Sequence, residues 1–188
     1  MKIAVIGYTG SGKSVLAAKL GKILGCPALH LDKLQFEAGW KERKEAEGNR
    51  LCEQFLEENK ERGWVIDGNY EKFCQKRRMK EADLIIFMDY PRWICLWQAL
   101  RRYYRYKGHT RKSMADGCIE KMDKEFILWI LKNGRSREKK EDYKRVGAQY
   151  PDKFIQVRNR RQLRATVIRL LQLQNEKGLY AGTGSRKR

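Results

Sequence analysis

The chain has 188 residues, enough for one well-packed α/β domain and short for two independent ones. Its 42 Lys and Arg against 23 Asp and Glu leave +19, and the excess is lopsided: Met1 to Tyr90 carry only +2, while Pro91 onward carries +17. No apolar run approaches the roughly 20 residues that span a bilayer, and the N-terminus enters a strand directly instead of a signal peptide, so a cytoplasmic protein with no membrane partner is expected.

In chain order, Ile3-Ala4-Val5-Ile6 reads as a buried strand and Val15-Leu16-Ala17-Ala18-Lys19-Leu20 as the start of a helix. Between them Gly7-Tyr8-Thr9-Gly10-Ser11-Gly12-Lys13-Ser14 fits the phosphate-binding pattern G-x-x-x-x-G-K-[ST] at every fixed position. The glycines let successive backbone N–H groups turn toward one anion, and the helix that follows adds its positive end. Lys13 supplies a full charge for outer phosphates, and the Ser14 hydroxyl suits a magnesium ion.

Gly25-Cys26-Pro27 breaks the helix, and Ala28-Leu29-His30-Leu31 reads as a strand ending at Asp32. There Asp32 could orient or deprotonate an acceptor hydroxyl, or serve only as a turn or cap carboxylate. His30 has no evident metal partners and suits a packed strand position. Residues 33–62 form a substrate-side segment: an irregular stretch with Phe36, Gly39 and Trp40, then a helix from Arg50 to Arg62 with Leu51, Phe55 and Leu56 as its apolar stripe. Trp64-Val65-Ile66-Asp67-Gly68 is the third strand, and Asp67 is the natural carboxylate partner for Ser14 around magnesium. A polar helix follows over Glu71 to Glu81, its basic residues expected in solvent, with Arg77 or Arg78 a candidate to reach an acceptor phosphate.

The nearly continuous apolar stretch from Ala82 to Asp89 reads as a strand covered on both faces. From Trp93 to Tyr106, the spacing of Trp93, Leu96, Trp97 and Leu100 places these residues toward a core, with Arg101, Arg102 and Arg105 following. Residues 108–150 read as a lid region: a basic break with His109, Arg111, Lys112 and Ser113, a short helix from Lys124 to Asn133, then a charged stretch with Arg135 and Arg137. Phe154-Ile155-Gln156-Val157 is the last strand, with Arg158 in the loop at its end and a helix from Gln162 to Asn175. Thus 1–176 is expected to form a single domain and 177–188 a disordered basic tail. Five widely spaced cysteines without a C-x-x-C pair fit neither zinc nor a disulfide framework.

Five strands alternating with helices, the glycine loop after the first and Asp67-Gly68 after the third give a series that resembles the adenylate kinase-like branch of P-loop kinases over nearly the whole chain. His30-Leu31-Asp32, Phe36 to Trp40, Trp64 to Tyr70 and Phe126 to Trp129 resemble more closely the bacterial members labelled DNA topology modulation proteins. The resemblance implies a three-layer α/β P-loop NTPase fold, a five-stranded parallel sheet of order 2-3-1-4-5 and a mobile lid. It implies a kinase using ATP and Mg2+ on a small-molecule acceptor, or a nucleic-acid-binding regulator that uses ATP weakly. ATP contacts would come from Gly7, Thr9, Gly10, Ser11, Gly12, Lys13, Ser14, Val15, Arg101, Arg105 and Arg158. Catalytic roles would fall to Lys13, Asp32, Arg111 and Arg135, and metal binding to Ser14 and Asp67. The branch's D-G-F-P-R pattern holds an acceptor nucleotide by its arginine; here Asn69-Tyr70-Glu71 follows Asp67-Gly68, and the acceptor is unnamed.

Overall fold

A computed structural model describes residues 1–111 and 113–182. Strands β1 (Lys2–Gly7), β2 (Ala28–His30), β3 (Trp64–Asp67), β4 (Leu84–Met88) and β5 (Phe154–Val157) form one parallel sheet in the order β2-β3-β1-β4-β5. Every residue of β3 and β4 is buried, as is β1 after Lys2, so helices must cover both faces of the central strands. Each Ile, Val or Leu so enclosed contributes about 1.5–3 kcal/mol. The expected fold class and strand order are therefore those of the molecule.

Helix α1 (Lys13–Leu24) turns Leu16, Ala17, Leu20 and Gly21 onto the sheet. After β2 the chain enters a short helix α2 (Leu31–Gln35) at once, so Asp32 sits in a first helical turn instead of closing a strand. Segment 33–47 is more ordered than its irregular composition suggests, with a tight helical turn at Ala38–Trp40 and a bridge between Phe36 and Glu42. Helix α3 (Glu45–Glu58) starts earlier than its apolar stripe does, since Glu45 and Glu47 favour a helix N-terminus.

Helix α4 (Gln75–Glu81) departs from expectation at Arg78, which is fully buried. Its guanidinium donates to the carbonyls of Phe73 (2.7 Å) and Tyr70 (2.8 Å), while Arg77 pairs with Glu57 and Glu81. Neither reaches out as an acceptor ligand. Helix α5 (Arg92–Tyr106) also departs from the expected face: Cys95 and Ala99 are buried, Leu96 packs partly buried against the core, and Trp93 and Trp97 are 66% and 54% exposed. Helix α5 passes the glycine loop so closely that a Cβ on Gly10 would collide with the Cys95 carbonyl oxygen, so position 10 must be glycine.

The stretch expected to be a lid holds α6 (Lys124–Leu131) and α7 (Arg137–Gln149), preceded by non-helical segments 107–111 and 113–123. Side-chain caps from Asp123 and Ser136 open the two helices. The last helix, α8 (Arg160–Gly182), continues six residues into the stretch expected to be disordered, since extending an established helix costs far less than starting one; 183–188 lie outside the described residues. All five cysteines are free, and no helix among the described residues is long and apolar enough to cross a membrane.

Candidate functional site

The carboxyl ends of the strands open into one cleft of about 1060 Å³. Loops at these ends are where parallel α/β sheets bind ligands. The glycine loop forms its floor. Gly10 has φ +81°, a left-handed conformation open to glycine, and the Ser11 backbone N–H turns back to the Tyr8 carbonyl at 3.1 Å. The Ser11 side chain is 1% exposed and its hydroxyl has no partner among the described residues. Lys13 stretches across the loop and donates to the Tyr8 carbonyl at 3.0 Å. Burial lowers its pKa below the ordinary lysine value, opposed by the nearby Asp32 and Asp67 charges.

Parallel register sets the acidic groups beside this loop. Asp67 pairs with Val5 across β1 and β3 and with His30 across β2 and β3. Its carboxylate accepts the Ser14 hydroxyl at 2.8 Å and contacts His30 Nδ1 through its other oxygen. A hydroxyl and a carboxylate side by side fit the demand of magnesium for hard oxygen donors, with phosphate oxygens and water completing the shell. Among the described residues no group of three or more His, Cys, Asp or Glu side chains could hold a metal by itself.

Two further side chains brace the cleft. Asn69 closes on Gly7 in both directions, accepting its N–H at 2.9 Å and donating to its carbonyl at 2.6 Å, and thereby ties the end of β3 to the loop. Tyr70 donates its hydroxyl to Asp32 at 2.8 Å. Burial, then the Asp32 charge, push the Tyr70 pKa up, so the phenol keeps the proton it donates. Arg78 anchors the Tyr70 carbonyl from below, and burial pushes its own pKa down to about 10.

Of the sequence candidates, Thr9, Gly10, Ser11, Gly12, Lys13, Ser14, Val15, Asp32, Asp67, Arg101, Arg105 and Arg111 line the cleft. Gly7 lies just behind the loop, held by Asn69. Two arginines stand elsewhere. Arg135 lies 3.8 Å over the Tyr8 ring and donates to the carbonyls of Tyr90 (2.6 Å) and Ile130 (3.3 Å), so it buttresses the loop from behind. Arg158 pairs with Asp89 at 3.5 Å outside the cleft wall. The cleft also contains Arg102, Trp97, Trp129 and Lys139. Trp129 donates its indole N–H to Thr9 at 3.1 Å, which joins α6 to the glycine loop. The aromatic residues had a visible signal, their helical spacing, but spacing alone does not say which side of a helix meets the core.

No protein-family model matches the chain, and no curated protein matches it. Solved structures do. A deoxyadenosine kinase from M. mycoides with bound dATP is 15% identical with a TM-score of 0.50, covering 90% of this chain and 99% of that one. The same kinase with dCMP and dCDP is 14% identical, TM-score 0.50, covering 92% and 100%. A shikimate kinase from Bacteroides thetaiotaomicron is 17% identical, TM-score 0.45, covering 93% and 98%. The fold is that of P-loop kinases.

Proposed function

We propose that this chain transfers the terminal phosphoryl group of Mg-ATP to a small-molecule acceptor. The reading is supported by one arrangement: Lys13 on the glycine loop and the Ser14–Asp67 pair share a cleft with a second carboxylate, Asp32, which we assign to the acceptor. Lys13 and the loop N–H groups hold the phosphates, and Ser14 and Asp67 hold magnesium, which neutralises charge on the phosphate oxygens. Asp32, kept in place by Tyr70, takes the proton of the acceptor hydroxyl as its oxygen bonds to the γ-phosphorus. The bond from that phosphorus to the β-bridging oxygen breaks, and ADP leaves. Arg101, Arg102, Arg105 and Arg111 supply positive charge along the wall where negative charge is spread over the transferring group. Arg135 acts through Tyr8 and the loop.

Incubating the protein with Mg-ATP and a panel of nucleosides, nucleoside monophosphates, sugars and hydroxy acids, while following ADP release, tests the proposal. Acceptor-dependent ADP from the wild type and none from Lys13→Ala is the expected result; equal turnover by the two proteins refutes it.

A second reading keeps the likeness to DNA topology modulation proteins and takes a nucleic-acid backbone as the partner. It is favoured by Arg161 and Arg169, exposed along α8 outside the cleft lining. Duplex DNA binding that weakens steeply with salt and survives saturation with Mg-ATP would support it.

A further inference from the structure

We propose that Glu120 is a positioning residue that holds Arg102 and Arg111 together as a receptor for an anionic group on the phosphoryl acceptor. The inference rests on the kinase reading and names the class of acceptor that reading leaves open: a hydroxyl compound that also carries a phosphate or carboxylate.

Glu120 is 5% exposed, an unusual place for a carboxylate unless it is paired. Its two partners are arginines: Arg102 Nε donates at 3.1 Å and Arg111 Nε forms the second ion pair. A bridge between Thr110 and Ile119 puts Arg111 and Glu120 on one face of the paired segments as diagonal neighbours, while Arg102 comes from α5. The cluster therefore ties the lid loop to α5. Two guanidinium groups on one carboxylate leave one positive charge over, and no other carboxylate among the described residues forms an ion pair with either arginine. Burial, and next the charge of Arg111, lower the pKa of Arg102, so the two cations feel each other. Both arginines line the cleft. An anion entering there removes their mutual repulsion and meets donors already fixed in direction.

The position selects the acceptor's anion over the nucleotide's. The strand segment carrying Glu120 is docked on the acceptor side: Trp40 donates its indole N–H to the Ile119 carbonyl at 2.9 Å, and the Cys118 thiol donates to the Glu37 carbonyl at 3.3 Å. Asp32, at the start of that same substrate-side segment, is near enough for its charge to act on Arg102. The glycine loop is instead tied to α6 through Trp129 and to the turn after α6 through Arg135. A molecule with its hydroxyl at Asp32 and its anionic group at Arg102 and Arg111 spans the acceptor half of the cleft.

The test is a calorimetric titration of inorganic phosphate, and separately of lactate, into the full chain saturated with Mg2+ and a non-hydrolysable ATP analogue, so that the glycine loop is filled. One phosphate or lactate is expected to bind; phosphate alone assigns a phosphate-bearing acceptor and lactate alone a carboxylate. Arg111→Ala should weaken that binding at least tenfold. In Glu120→Gln it should weaken by about tenfold with analogue affinity and melting temperature within twofold and 2 °C of wild type, and Glu120→Asp should recover part of the loss. Stronger anion binding in Glu120→Gln would show a mere competing charge and overturn the positioning role. Analogue and anion binding that fall together would show a structural role and overturn it equally. Analogue binding without any anion binding refutes this receptor and leaves the kinase reading standing, whereas a wild type that does not bind the analogue refutes both.

Discussion

Lys13 shows how a side chain proposed to hold phosphate can work against stability. Burial lowers its pKa, so folding disfavours the proton that the unfolded chain holds more firmly. For a basic group depressed in this way the penalty is full below the folded pKa and fades as pH rises toward the ordinary lysine value of about 10.4. Lys13→Met is therefore expected to melt higher than wild type at pH 7, with the gain shrinking as pH rises toward the ordinary lysine value, while Mg-ATP binding is lost. A melting series across pH checks the sign: a destabilised variant at neutral pH would mean that the Tyr8 hydrogen bond and the two aspartates outweigh desolvation. Asp32 makes the complementary case. In Asp32→Asn the Tyr70 hydroxyl keeps an acceptor, but the proton of the substrate hydroxyl has no base to go to. The expected loss is about 10²–10⁴-fold in kcat with ATP affinity within twofold, read by steady-state kinetics with the acceptor found in the panel.

Helices matter here by what they latch. Helix α6 and the turn that follows it each hold the glycine loop, α6 through Trp129 on Thr9 and the turn through Arg135, whose guanidinium covers the Tyr8 ring and caps the Tyr90 and Ile130 carbonyls. Removing Arg135 takes away charged hydrogen bonds worth about 1.5–3 kcal/mol each and leaves carbonyl oxygens unanswered. Arg135→Ala should thus lose about 3 kcal/mol or more in urea unfolding and bind the ATP analogue about tenfold more weakly, although the residue does not line the cleft. Trp129→Phe removes one exposed hydrogen bond and should cost under about 1 kcal/mol. Unchanged analogue affinity in Arg135→Ala would mean that the loop holds its shape without the latch. None of this latch could be read from the chain. The strands and the glycine loop were legible because their signals are local: continuous apolar residues, fixed glycine spacing and a carboxylate at a strand end. The face of α5 was not, because its period shows one apolar side while the buried line runs through Cys95 and Ala99, beside the glycine loop that α5 passes closely. Arg78 and the Glu120 cluster escaped for the same reason. A charge in a polar stretch reads as solvated until tertiary packing encloses it, and Arg102, Arg111 and Glu120 meet only through folding.

For the whole molecule the question is what the +17 of the second half serves. Arg101, Arg102, Arg105, Arg111, Lys139, Arg160 and Arg164 converge on one cleft, facing Asp32 and Asp67. A concave site lined mainly by one sign focuses the field and speeds the approach of an oppositely charged ligand. Free ATP and Mg-ATP are both anionic, so association should be steered. Raising salt from about 50 to 500 mM shortens the Debye length from about 14 to 4 Å, which reaches across little of the cleft. The expected result in stopped-flow measurements is an association rate that falls about tenfold or more over this range, with a dissociation rate that changes far less because the bound phosphates are shielded from solvent. A charge that serves nucleic acid instead divides the effects differently. Duplex binding would then carry the steep salt dependence, nucleotide association would stay nearly flat, and Arg161→Glu with Arg169→Glu on α8 would abolish the first without touching the second. Measuring both ligands across the same salt series therefore assigns the charge to the cleft or to the outer face, and a nucleotide association rate independent of salt would remove the steering argument.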